Sequence, residues 1–198
     1  MTDDDPSRSR PSDDLQAPPV TEEIRERARR SPNSWIYSVD GAYEAAEEIP
    51  PYAVVGAWPV DENGQLGAFT ANDNYRPSPA ALQLDLPTDA VDAAVQLAAT
   101  GHGSEGDVAL ALAASTIYLP ANDDGDLIAY RREDGKEYVA IFTDPNKAPA
   151  TAAQLLPTDI RSFLAVVPED TTVAINPGGQ VAASFTSGEL RAALPTDA

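Results

Sequence analysis

Cysteine is absent from this chain of 198 residues. Without a thiol there can be no disulfide, no thiolate nucleophile and no thiolate-bound metal. Histidine occurs once, at His102, which rules out a His-rich metal site. It sits in Gly101-His102-Gly103, with no nucleophile or orienting acid near it in sequence, so it reads as a loop residue. Positive charge is scarce: 13 Lys and Arg stand against 32 Asp and Glu, a net charge of -19. Such a chain repels phosphate backbones and anionic surfaces, so neither nucleic acid nor membrane insertion is expected. Long apolar runs are also missing. The longest, Val108 to Ala114, falls far short of the ~18 residues of a spanning helix. The opening MTDDDPSRSR has no apolar core, so no signal peptide is expected and the expected location is the cytoplasm.

The phosphate-binding glycine motifs are lacking too: there is no GxGxxG and no GxxxxGK[ST]. The nearest candidate is Gly178-Gly179 in TVAINPGGQVAASF. A phosphate loop joins a strand to a helix N-terminus, often with a lysine. Here an alternating, strand-like QVAASF follows and no lysine does, so a tight strand-to-strand turn is expected. Calcium fares no better. Counting back from the glycine of NDDGD or DENG puts Pro120 or Pro59 where an EF-hand loop needs its first aspartate. Close carboxylate pairs, such as Glu47-Glu48, carry no specificity in so acidic a chain. No catalytic, cofactor-binding or metal-ligating residue is therefore assigned.

What is present divides into three stretches. Residues 1–20 are Asp, Ser, Pro and Arg with almost nothing to bury, and are expected to be disordered. Residues 21–86 carry a short helix and a β-rich module. In TEEIRERARR, Thr21 is an N-cap, with acids first and arginines last. Only Ile24 and Ala28 are apolar on it, so weak docking is expected. SPNSWIYSVD and YAVVGAW read as strands, with Trp35, Tyr37 and Val39 at period two, and Asn63-Gly64 signals a hairpin. Residues 87–198 switch to alternating helices and strands. Helices are expected at DAVDAAVQLAAT, at EGDVALALAAS capped by Ser104 with Asp107, at DIRSFLAVV, and at SGELRAAL capped by Ser187. Strands are expected at TIYLP, at the segments after two Asp-Gly turns, and on both sides of Gly178-Gly179. LPTD recurs at 86, 156 and 194; it reads as a proline stop followed by a capping pair.

Of the chain's 13 aromatic residues, seven fall within 35–75. They either form the core of the small module or offer a binding face, since Trp, Tyr and Arg dominate interface hot spots. The candidate partner-binding residues are Trp35, Tyr37, Trp58, Tyr75 and Arg76. Arg76 is the only basic side chain among Lys and Arg between residues 31 and 130.

The order of elements in 87–195, with Tyr118-Leu119-Pro120, Tyr138-Val139, Phe142-Thr143 and Ile175-Asn176-Pro177-Gly178, resembles the N-terminal domain of the SseB (enhanced serine sensitivity) family. The preceding SPNSWIYSVD through FTANDNYRPSPAAL, continuing to DAVDAAVQLAATG, resembles actinobacterial proteins described as type VII secretion system-associated. Together these resemblances imply an α+β or α/β fold: a small mixed-sheet domain flanked by helices, preceded by a small β-rich module. They imply a non-enzymatic accessory or chaperone-like role, with a secretion substrate or component as the protein partner and no cofactor. They supply no catalytic motif. A small-molecule-binding regulatory domain is the alternative. The oligomeric state stays open.

Overall fold

The structure, a computed structural model, describes residues 17–195. The expected disorder of 1–20 therefore falls mostly outside the described residues. The fold is mixed α+β and divides into two compact units between Leu82 and Gln83.

In the first unit, α1 (Glu22–Arg30) is followed by β1 (Trp35–Val39), β2 (Val54–Pro59) and the two-residue β3 (Thr70–Ala71). The strands form an antiparallel meander in the order β1-β2-β3. Thr21 caps α1 by accepting from the Ile24 N–H. The helix docks more firmly than its two apolar residues suggest. Ala28 is completely buried in a cluster with Ile36, Trp58 and Val60, and Val20 and Ile24 pack beside it. The hairpin turn after β2 explains how so small a face suffices. Asp61 Oδ1 accepts from the N–H groups of Asn63 and Gln65, and Gly64 takes φ +76 with its α-carbon laid against the Arg29 backbone. No larger residue could approach α1 so closely. The arginines pair along the helix, Arg25 and Arg29 with Glu22 and Arg30 with Glu26. These pairs are exposed and contribute little.

The second unit begins with α2 (Ala90–Ala99) and α3 (Glu105–Ala113). Asp89 caps α2, and Ser104 with Asp107 forms a reciprocal capping box on α3. Next come β4 (Thr116–Ala121), β5 (Ala129–Arg131), β6 (Glu137–Ile141), β7 (Gln154–Asp159), α4 (Ile160–Val166), β8 (Thr172–Ile175), β9 (Ala183–Thr186) and α5 (Ser187–Ala193). Four strands run in the order β5-β6-β8-β9, with β6 and β8 parallel and the other pairs antiparallel. β4 and β7 form a separate antiparallel pair. The bridge between Tyr118 and Phe142 ties that pair to the end of β6.

Two expectations change. β7 falls in a stretch expected to be connector and helix cap; only its last residue, Asp159, does the capping, accepting from the Ser162 N–H at 2.8 Å. The N-cap of α5 is Thr186, one residue before Ser187, in a capping box with Glu189.

The core of this unit lies on one face of the four-stranded sheet. Val139, Ile141, Val173, Ile175 and Phe185 point into it and meet Val91, Val95, Val108, Leu112, Phe163, Leu164 and Leu190 from the helices. Strand side chains alternate, so Tyr138, Ala140 and Ala174 point to the opposite face. There, Tyr130 lies across from Tyr138, and Ala140, Ala174 and Ser184 form one row across β6, β8 and β9. That row is made of small side chains, so the second face is shallow at its centre and tall at the tyrosines.

Candidate functional site

The five aromatic and basic candidates of the first unit separate into different environments. Trp58 lies in the core, 3% exposed, with its ring 4.8 Å from that of Phe69. It is packing, not surface, because the row of β2 that carries it faces α1. Tyr75 is half-buried and its hydroxyl donates to Asp40 Oδ2 at 2.9 Å. Arg76 is exposed, with its guanidinium carbon 5.9 Å from the centre of the Tyr52 ring. Trp35 and Tyr37 are the two aromatic candidates that stand in solvent, 51% and 60% exposed, while Ile36 between them is buried. They share the outer face of β1, which among the described residues is an edge strand with β2 as its sheet neighbour.

His102 follows α2, where its N–H donates to the Leu97 carbonyl at 2.8 Å. The Asp-Gly loops use their polar atoms locally. Asn122 Oδ1 accepts from the N–H groups of Asp124 and Asp126, as Asp61 does in the first unit. Among the described residues no group of acids, histidines or cysteines is arranged to hold a metal ion. Among them, too, no helix is long and apolar enough to cross a membrane.

The second unit carries a cleft. Its volume is about 580 Å³, and its lining draws on the second face of the four-stranded sheet, on α2 and on the β8–β9 turn. That volume falls within the range of small-molecule sites. Ala140 and Phe142 line its apolar base and the Tyr130–Tyr138 pair forms one wall. The two rings stack at 5.6 Å with 26° between their planes, and Arg132 lies 5.6 Å from the centre of Tyr138. Burial, followed by the nearby Tyr138 phenol, pushes the Tyr130 hydroxyl above its ordinary pKa.

The lining also takes in the segment leading into α2 and the β8–β9 turn. That turn is the Asn176–Gln180 stretch. It connects two strands, as its sequence suggests, though positive φ is taken by Asn176 (+47) and Gly178 (+91) and not by Gly179. Buried Asn176 fixes the turn to the end of β6: its Oδ1 accepts from the Thr143 N–H and its Nδ2 donates to Thr143 Oγ1.

Among the described residues, the one ammonium lining the cleft is paired. Lys147 Nζ lies 2.9 Å from Asp92 Oδ2, and both side chains are largely buried. Beside them Asp89 accepts from the Asp92 N–H and from Thr143 Oγ1. Burial opposes its ionisation, but those bonds, with Thr88 and the Lys147 charge, outweigh it and hold the carboxyl below the usual aspartate range.

Sequence reasoning found the turn, and marked Tyr138 only as part of a family resemblance. It did not find Gln96, Gln180 or the Asp92–Lys147 pair as neighbours of either. Their assembly depends on contacts such as Asp85 with Gln180, separated by 95 positions, for which no local pattern exists.

Compared with known families, residues 91–192 match the family model described as SseB protein N-terminal domain. No curated protein and no solved structure matches the chain.

Proposed function

The chain belongs to the SseB N-terminal domain family; from its further resemblance to type VII secretion-associated proteins we propose that it is a non-enzymatic, cytoplasmic accessory factor of type VII secretion that holds a protein partner. The observation that carries this reading is the pair Trp35 and Tyr37, exposed side by side on edge strand β1. An edge strand offers main-chain groups to an extended segment of another chain, and aromatic side chains on it supply pockets and hot spots. The net charge of -19 favours a partner with a basic surface. The resemblance of residues 20–195 to type VII secretion-associated proteins supplies the system.

The test is co-purification of type VII secretion substrates and components with the wild-type chain and with the double variant Trp35→Ala, Tyr37→Ala. Selective capture by the wild type and its loss in the variant is expected. Equal capture by both, or capture of no secretion component, defeats the proposal.

A second reading, a regulatory domain that binds a small molecule, is favoured by the cleft of the second unit.

A further inference from the structure

Two glutamine side chains bracket the same peptide. Gln96 Nε2 donates to the Asp85 carbonyl at 3.0 Å, and Gln180 Oε1 accepts from the Asp85 N–H at 2.7 Å. Each amide thereby uses one end and leaves the other for the cleft that both residues line. Among the described residues, nothing donates to Gln96 Oε1 and nothing accepts from Gln180 Nε2. Gln96 is only 7% exposed. Among the described residues the buried side-chain atom without a partner is Arg191 Nη1, so Gln96 Oε1 keeps an opening to the cleft. Its access to the cleft identifies where a partner would come from.

The unmatched groups define a complement. Gln96 Oε1 requires a donor. Gln180 Nε2 and the protons of Lys147 not directed at Asp92 require acceptors. A ligand with N–H and C=O or ring nitrogen on one edge meets all three. The Tyr130–Tyr138 wall and the flat Ala140 base favour a planar ring. Charge narrows the class further. Lys147 is neutralised by Asp92, and the exposed Asp85 also lines the cleft. The lining therefore carries two carboxylates against one ammonium, which opposes an added phosphate or carboxylate group.

We propose that this cleft binds a neutral, planar heteroaromatic amide of the nucleobase or nucleoside class, and discriminates against its phosphorylated form. The proposal rests on the second reading above, that the cleft holds a small molecule. The ring lies against the tyrosine wall, its N–H donates to Gln96 Oε1, and its acceptors take hydrogen bonds from Gln180 Nε2 and Lys147 Nζ.

The test is a titration of the full chain, followed by two-dimensional ¹H–¹⁵N NMR, with adenosine, guanosine, cytidine, uridine, their 5′-monophosphates, and benzoate as an anionic planar control. At least one nucleoside is expected to saturate with a Kd below about 1 mM and to shift the amides of Gly178, Gly179, Gln180 and Lys147. Its monophosphate is expected to bind at least about ten-fold more weakly. Gln96→Leu should weaken the nucleoside about ten-fold. Because Gln96 also holds Asp85, Tyr130→Ala, on a different element of the lining, provides a second variant expected to act in the same direction. Benzoate or a monophosphate binding better than every nucleoside overturns the ligand class and leaves the small-molecule reading standing. Saturation that shifts amides elsewhere, or that both variants leave unchanged, overturns the site. Absence of binding by every compound overturns the inference and counts against the small-molecule reading with it.

Discussion

Tyr75 Oη donates to Asp40 Oδ2 across 2.9 Å, joining the end of β1 to the Pro-rich segment 35 residues later. Asp40 is 4% exposed and accepts three further hydrogen bonds, from Ala42 N–H, Ser78 N–H and Ser78 Oγ. One carboxylate thus anchors a segment that has little regular structure of its own. Asp40→Ala leaves the buried Ser78 N–H and hydroxyl without their acceptor. A loss of about 2–4 kcal/mol is expected, read by urea unfolding as a lower midpoint with an unchanged slope.

The same carboxylate makes stability sensitive to acid. Burial opposes its charge, yet the bonds from Ser78, Ala42 and Tyr75 prevail and hold its pKa below the ordinary aspartate value. A depressed folded-state pKa contributes stability that is complete above the unfolded value of about 3.9 and is lost as pH falls through the lower folded value. Asp40→Asn should therefore show a shallower loss of stability between about pH 5 and pH 2 than the wild type. A pH series of urea midpoints checks it, and parallel curves for the two proteins count against it.

At the alkaline end the sign reverses. Burial, and then the hydrogen bond to the Asp40 anion, push the Tyr75 hydroxyl up from 10.0 to about 12. A raised folded-state pKa contributes stability that is full below the unfolded value and disappears as pH rises through the folded one. Tyrosinate absorbance should show a phenol titrating at about 12 that Tyr75→Phe removes. A titration unchanged by that substitution rules out the assignment.

The two tryptophans give opposite readings. Trp58→Ala empties a core site and should cost about 3–5 kcal/mol, whereas Trp35→Ala should stay within about 0.5 kcal/mol. Fluorescence separates them without unfolding: Trp35 emission should be quenched readily by acrylamide and Trp58 emission should resist it. Similar quenching of both contradicts their placement.

Gly56 and Gly125 differ in the reason for having no side chain. A β-carbon on Gly56 would sit 2.3 Å from Phe69 Cζ and 2.4 Å from the Thr70 carbonyl oxygen, whereas at Gly125 the space is open and only φ +87 is at stake. Gly56→Ala should cost about 3 kcal/mol through overpacking against β3. Gly125→Ala should cost about 1–2 kcal/mol for left-handed backbone alone. Thermal unfolding of the two variants should rank them in that order.

Much of the secondary structure was legible because capping and turn chemistry are local. Thr21, Ser104 with Asp107, and the Asp-Gly turns each announce an element boundary within a few residues. β7 was not legible because Pro157 suppresses the strand signal, and the strand tolerates it at the edge of a two-stranded pair. The period of β1 was legible and its orientation was not. Trp35, Ile36 and Tyr37 are all apolar or aromatic, so alternation cannot say which row faces α1. The cleft was least legible of all. Gln96 and Gln180 are ordinary surface residue types that gain meaning only where tertiary folding brings both to Asp85.

The parallel alignment of β6 with β8 also orders events in time. β5 and β6 can close as a hairpin as soon as both are made, but β6 must wait for β7 and α4 to be synthesised before its other neighbour exists. Until Thr172–Ile175 emerges from the ribosome, the core-facing Val139 and Ile141 lack Val173 and Ile175 beside them. Non-local pairing of this kind slows folding, so the second unit should acquire protection from a co-translational protease only after β8 has cleared the exit tunnel.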